Sequence, residues 1–269
     1  MAQLAPLAQR CVAGLTPAHA SRDVVGSMRL FPLLFVLLTA ASLRAEDPVM
    51  NAGQLASQMA SLVEDGASSA RVRMKASDGQ VLQVQIKSLR SGGSARTVYE
   101  VLWPQQRKGE KVALLQSKGE WPRGEKISAA GERSEIGHGE WSKGMFGTGL
   151  AYADVIENFF LWPKQQLAGK ESVGRADCVI LESRPAGNSP HGKARSWIDP
   201  DKRVVMRVEK YDVSGKLLRT IATTQVAKDD AGRNIPAGMT VTQPGGATTE
   251  IDGSNIRHDV SLTDADFAL

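Results

Sequence analysis

The sequence predicts a mainly β, α+β chain, built as a large antiparallel sheet with helices on one side. Three observations predict it. Short segments alternate polar and apolar residues, the period of a half-buried strand. Tight Gly-, Asp- or Pro-containing turns separate many of them. Only two segments carry helical spacing, against roughly ten strands. A sheet of that width curls or closes rather than staying flat.

The elements follow in chain order. Ala52, Leu55, Met59, Leu62 and Val63 recur at helical spacing, and Gly66 follows as the expected C-cap. Arg71–Ala76 and Leu82–Lys87 both alternate without a miss around the turn Asp78-Gly79. Ser91-Gly92-Gly93-Ser94 turns the chain into Thr97–Trp103, and Gly109-Glu110 turns it into Lys111–Gln116. Ser117–Lys143, rich in Gly, Glu, Lys and Arg, breaks this rhythm and reads as long hairpin loops or poorly ordered strands around Trp121 and Trp141. A second helix carries Tyr152, Val155, Ile156, Phe159 and Phe160 on one face until Pro163 stops it. The remaining strands are Asp177–Ser183, Ala194–Asp199, Val204–Asp212, Leu217–Val226, Ile235–Gln243 and Thr248–Ile256, with Ser214-Gly215 and Pro244-Gly245-Gly246 as tight connections.

The apolar run Leu30–Ala41 lies between Arg29 and the small-residue step Leu43-Arg44-Ala45. Its length and flanks read as a secretory signal peptide cleaved after Ala45, since a bilayer-spanning helix needs about 20 apolar residues. Residues 1–27 precede Met28, which we take as the true start; the alternative is an unusually long positive flank. Residues 1–45 are therefore an extension plus signal peptide, and residues 46–269 one secreted domain outside the cytoplasm. Cys11 precedes the apolar run, so it is no lipid attachment site.

Cleavage changes the charge balance. It removes Arg10, Arg22, Arg29 and Arg44 but only Asp23 from 33 basic and 29 acidic residues, leaving 29 and 28. No basic stripe remains to neutralise phosphates, which argues against nucleic acid as a partner. Cys178 alone persists and reads as a small buried strand residue.

No catalytic or metal motif stands out: no G-x-S-x-G elbow, no H-E-x-x-H, no phosphate-cradling glycine loop. His138, His191 and His258 read as turn or surface residues. Asp199, Asp212, Asp252 and Asp264 sit where a carboxylate caps nearby backbone N–H groups. No cofactor and no enzyme are expected. The informative residue is apolar surface. Val98 and Leu102 oppose Tyr99, Val101 and Trp103, and Val179 and Leu181 oppose Cys178 and Ile180, so several strands need partners on both faces. A curved sheet supplies the second partner as a packed core or as a pocket.

The second half resembles the periplasmic outer-membrane lipoprotein-sorting family, relatives of the lipoprotein-localisation carriers. Gly147–Val155, with Tyr152 and Asp154, is similar to its glycine-to-helix motif. Glu171 to Cys178 with Gly174 resembles the strand entry that follows, Trp197-Ile198-Asp199 a W-I-D strand, and Lys210-Tyr211-Asp212 with Gly215-Lys216-Leu217 and Arg219 the next hairpin. Ile235-Pro236, Thr249-Glu250-Ile251 and Asp264-Ala265-Asp266-Phe267 continue the order to Leu269. Gly149 and Ala151 depart from it, replacing polar residues that could cap the helix. Ser117–Lys143 also lacks the family's regular strand and basic cluster.

The resemblance implies a strongly curved antiparallel sheet forming an incomplete barrel, with a few helices covering its open side over an apolar cavity. It implies a carrier for a lipid or lipoprotein acyl group, with an inner-membrane transporter or outer-membrane receptor as partner, and no catalytic residues. Expected wall residues, chosen as alternating apolar strand positions, are Val84, Ile86, Tyr99, Val101, Trp103, Trp197, Met206 and Val208, with Phe159 and Phe160 on the covering helix. Burying about twenty methylenes at ~0.8 kcal/mol each gives roughly 16 kcal/mol, against association costs of about 4–15 kcal/mol. Such cargo is held yet released. The other reading is a scaffold or accessory subunit of an envelope export complex, contacting partners through the loops around Trp121 and Trp141.

Overall fold

In a computed structural model, described for residues 51–62 and 65–267 with the side chains at 254 and 255 excepted, the chain runs as two meanders that meet in the middle of one sheet. The expected signal peptide, the reading of Met28 and the helical position of Val63 lie outside the described residues. The first meander is β1 (Gly66–Ala76), β2 (Val81–Ser91), β3 (Ser94–Trp103), β4 (Lys111–Gln116), β5 (Arg123–Ile127) and β6 (Arg133–Glu135). The second is β7 (Lys164–Val173), β8 (Ala176–Arg184), β9 (Lys193–Asp199), β10 (Val204–Tyr211), β11 (Leu217–Lys228), β12 (Asn234–Thr242) and β13 (Thr248–His258). The order is β6-β5-β4-β3-β2-β1-β13-β12-β11-β10-β9-β8-β7, antiparallel throughout.

This is the expected incomplete barrel. β6 and β7 are its two ends and do not pair with each other. The 28 residues between them do not close the gap; much of this connection folds onto the sheet's inner face as a plug. Trp141, Met145, Phe146, Leu150, Tyr152, Ala153 and Ile156 pack there against Val84, Tyr99 and Val101, Val112 and Leu114 of β4, and Val241 of β12. β4 and β12 are five strand spacings apart, about 24 Å along a flat sheet. One buried cluster can hold both only if the sheet bends around the plug.

A smaller core serves the second meander. The helix α1 (Ala52–Ser61) starts at Asn51, whose side chain accepts from the Gly53 N–H at 2.8 Å, and lays Leu55, Ala56 and Met59 against Phe160, Val179, Leu181 and Ile198. It ends on Leu62, and Gly66 opens β1 with φ 129° instead of capping the helix.

Two sequence expectations are corrected. Ser117–Lys143 contains β5 and β6, which continue the sheet, and Trp141 within it is 1 % exposed. The pattern was obscured because β5 and β6 are short and almost wholly polar, and Gly124 sits where a Cβ would lie 2.8 Å from the Ile136 and Leu114 side chains. The second helix, α2 (Tyr152–Ile156), stops well before Pro163. Glu157 turns extended and Asn158 caps a separate helical turn, Phe159–Leu161, accepting from the Phe160 N–H at 3.3 Å. Cys178 is buried as expected.

Candidate functional site

The plug is fixed to the sheet by a buried charged network, built from residues far apart in the chain. Its local frame is the turn before α2. Gly144 bridges to Ala151, and a Cβ on it would lie 1.7 Å from the Thr148 carbonyl oxygen, so only glycine fits. At the helix start Asp154 Oδ2 accepts from the Ala151 N–H at 2.9 Å, the half of a capping box that the third helical residue supplies, while Ala151 has no side-chain acceptor for the other half. The glycine at 149 also has a reason. Its N–H donates to Thr249 Oγ1 at 2.8 Å and its carbonyl accepts from Arg219 Nε at 2.7 Å, with β13 too close for a side chain to sit easily.

Arg219 of β11 is the hub. Its guanidinium also donates to the Ser142 carbonyl and pairs with Asp154 Oδ2 at 3.2 Å. On the other side of Asp154 stands His191, with Nε2 3.4 Å from Asp154 Oδ1 and Nδ1 2.6 Å from Glu157 Oε2. All four side chains are almost completely buried. Burial would raise the Asp154 carboxyl, but the neighbouring His191 ring and the charges of Arg219 and Lys210 outweigh it and hold the group below its ordinary value.

Lys210 is the fifth member and differs in kind. It is 1 % exposed, its Nζ has no hydrogen-bond partner, and it lies 4.5 Å from the centre of the Phe159 ring. Burial pushes its amine below the ordinary lysine value, while Asp154 and Glu157 pull it partly back. An ammonium without hydrogen bonds carries a desolvation cost that the charges of Asp154 and Glu157 and the Phe159 ring offset only in part. Lys210→Met is therefore expected to change stability by less than about 1 kcal/mol, or to raise it. Urea unfolding checks this; a loss above about 3 kcal/mol would give the ammonium a stabilising role it lacks here.

At one end of the plug an open cleft of about 870 Å³ enters the fold. Its borders are the C-terminal part of α1, the β2–β3 turn, the loop after β4, residues 156–163 and the loop 185–189. Ala95 and Ile156 belong both to the cleft and to the main core, so the floor of the cleft is the end of that core. Leu161, 57 % exposed, stands at its border beside Trp162. Glu157, which also borders it, links the cleft to the charged network. A second cavity of about 600 Å³ lies along β3–β6, where Trp121 stacks on His138 with ring centres 4.6 Å apart.

None of the ten expected wall residues borders either cavity. Val84, Tyr99 and Val101 are buried in the main core, and Ile86 packs against it. Phe160 is buried under α1 with Phe159 beside it. Val208 is buried in register with Ser196 and Ile221. The other three lie apart from that core. Trp103 is 49 % exposed, and Trp197 and Met206 pack with Ala176 and Cys178, on the face opposite Val179, Leu181 and Ile198. Strand alternation tells which residues share a face, but not which face turns inward.

His191 corrects the surface reading of the histidines, since it is 1 % exposed. Nothing local signals this: Ser189-Pro190-His191-Gly192 looks like any turn. Gly192 alone hints at close packing, because a Cβ there would lie 2.5 Å from the Asp212 carbonyl oxygen. Asp199 and Asp212 cap backbone N–H groups as expected. Among the described residues, one group has metal-ligand side chains within 4.8 Å: Asp229, Asp230 and His258. Arg233 Nε already donates to Asp229 Oδ2 at 2.8 Å, which makes the group an ion-pair cluster. No helix among the described residues is long and apolar enough to cross a membrane.

Comparison with known proteins places this architecture. No curated protein matches the sequence. A DUF1329 family protein from Desulfovibrio piger superposes with a TM-score of 0.74 at 23 % identity, covering 83 % of this chain and 98 % of its own. A domain from Vibrio parahaemolyticus described as an outer membrane lipoprotein-sorting protein gives 0.71 at 21 %, covering 80 % and 95 %. A LolA superfamily protein from Nitrosomonas europaea gives 0.62 at 18 %, covering 82 % and 98 %. A family model described as "Uncharacterized protein"-like matches residues 127–269, more than half of the chain, so the chain belongs to that family and carries the fold of the outer-membrane lipoprotein-sorting, LolA-superfamily proteins.

Proposed function

We propose that this protein is a non-enzymatic carrier in the cell envelope, binding the acyl part of a lipid or lipoprotein in the cleft at the open end of the barrel. The observation that carries this reading is the cleft itself. Its volume lies in the range of small-molecule sites, about 300–1,000 Å³, and its floor is the apolar end of the core. The fold shared with lipoprotein-sorting proteins supports it as analogy. The buried position of Trp141 weighs against the scaffold reading, which needs that residue at an exposed contact.

In this proposal the first methylenes lie against Ala60, Ala95, Ile156 and Leu161. Val84, Ile86, Tyr99 and Val101 form a deeper wall that a long chain reaches only if α2 lifts from the sheet. A signal peptide cleaved near Ala45 would deliver the protein to the periplasm, where cargo passes from an inner-membrane donor to an outer-membrane acceptor. Native mass spectrometry of protein taken gently from its host's envelope is expected to show lipid at a fixed molar ratio. Leu161→Glu is expected to weaken uptake of a fluorescent fatty acid about tenfold, as a charge enters the apolar wall. Lipid-free protein that takes up no fatty acid would overturn the carrier reading.

A further inference from the structure

We infer that the cleft selects amphiphiles with an anionic head, an acyl chain ending in a carboxylate or phosphate, and that Arg90 is the residue that reads the charge. The inference rests on the carrier reading and adds to it the chemistry of the head group.

The polar lining of the cleft is unequal. Five charged side chains border it: Arg90, Lys118, Asp65, Glu120 and Glu157. The acids are engaged. Glu157 faces His191 at 2.6 Å, Glu120 pairs with Arg123 at 3.5 Å, and Asp65 on the rim accepts from the Gly92 N–H at 2.9 Å. The two cations are not. Neither Arg90 nor Lys118 has a side-chain hydrogen bond or ion pair to a described residue.

Their positions differ in a useful way. Lys118 is exposed on the loop after β4. Arg90 is mostly buried and stands on the same face of β2 as Leu82, Val84 and Ile86, so its guanidinium points to the side on which the plug lies. It is near Tyr99, whose hydroxyl burial keeps protonated. Burial also works against the Arg90 charge. A guanidinium always remains charged in a protein, so it bears that cost until an anion offers it two acceptors. An acyl chain seated on Ala95 and Ile156 places its head at this border.

The test compares heads on one chain. Binding of palmitate, lysophosphatidylglycerol and methyl palmitate is measured by tryptophan quenching and calorimetry with the full protein. Palmitate or the lysophospholipid is expected to bind about ten- to a hundredfold more tightly than the ester, the effect of a charged hydrogen bond. Arg90→Gln is expected to erase that difference while leaving ester binding intact, which also certifies that the variant is folded. Lys118→Gln is expected to shift affinity less than threefold and mainly at low salt. Which of the two anions binds more tightly identifies carboxylate or phosphate as the head. Equal binding of acid and ester, unchanged by Arg90→Gln, overturns the head-group inference and leaves the carrier reading standing; no binding of any of the three overturns the carrier reading.

Discussion

Arg219→Ala is expected to destabilise the protein by about 3–5 kcal/mol, because it breaks a buried ion pair and strands the partner's charge. Arg219 joins β11 to the plug at three points: the Gly149 carbonyl, the Ser142 carbonyl and Asp154. Removing it leaves two plug carbonyls without their donor and takes from a carboxylate of zero exposure its directly paired cation. For a domain of this size the loss amounts to a fall in Tm of roughly 10 °C, read by circular dichroism. The acid limb carries a second signature. Asp154 has a folded-state pKa below its unfolded value, so it stabilises the protein above the ordinary carboxylate range and this stabilisation is lost as pH falls through the depressed value. Without Arg219 that depression shrinks, so the difference between variant and wild type is largest near neutrality and narrows in acid. A variant that unfolds within 1 °C of the wild type at pH 7 would show that the plug is held by apolar packing alone.

Trp141→Ala is the second large effect, again about 3–5 kcal/mol. The indole is one of the largest fully buried side chains, in edge contact with Tyr152 at 6.4 Å between ring centres. Truncation leaves a void against Val112 and Leu114 and the strands around them that close packing cannot refill. An apolar void of this kind stays dry and accepts small apolar molecules. Benzene is therefore expected to raise the Tm of the variant and not of the wild type. A loss below about 1 kcal/mol would mean that the plug collapses freely into the space, and that the main core is softer than its burial implies.

The two variants test opposite parts of one arrangement. In strand order, the main core covers β1–β4, β12 and β13, the smaller core β8 and β9, and the charged network sits between them on β10 and β11. The apolar cores hold the sheet bent. The network, with its fixed donors and acceptors, sets where the plug rests along it. The proposed carrier role needs both, because a plug held only by apolar contact has no unique position from which to yield to a guest.

Three of the residues that make this network, Asp154, Lys210 and Arg219, were visible in separate motifs; His191 and Glu157 were not. Tyr152 and Asp154, Lys210, and Arg219 each belong to a segment that resembles the lipoprotein-sorting family, and they meet in space only because β10 and β11 curve over the plug. Sequence by itself determined the strands, since a period of two and a turn dipeptide are local properties: ten of the strands stand where alternation places them. It also determined α1, through its apolar spacing, and the burial of Cys178. Tertiary structure alone decided which face of each strand turns inward, and so that Trp103 is exposed and Trp197 packs on the far side. It decided that the connection between the edge strands fills the barrel instead of closing it, and that His191, from an ordinary-looking turn, and Arg90, near the end of β2, face the plug. The physical reason is the same in each case: alternation is written in neighbouring residues, whereas curvature is set by what the whole sheet must wrap.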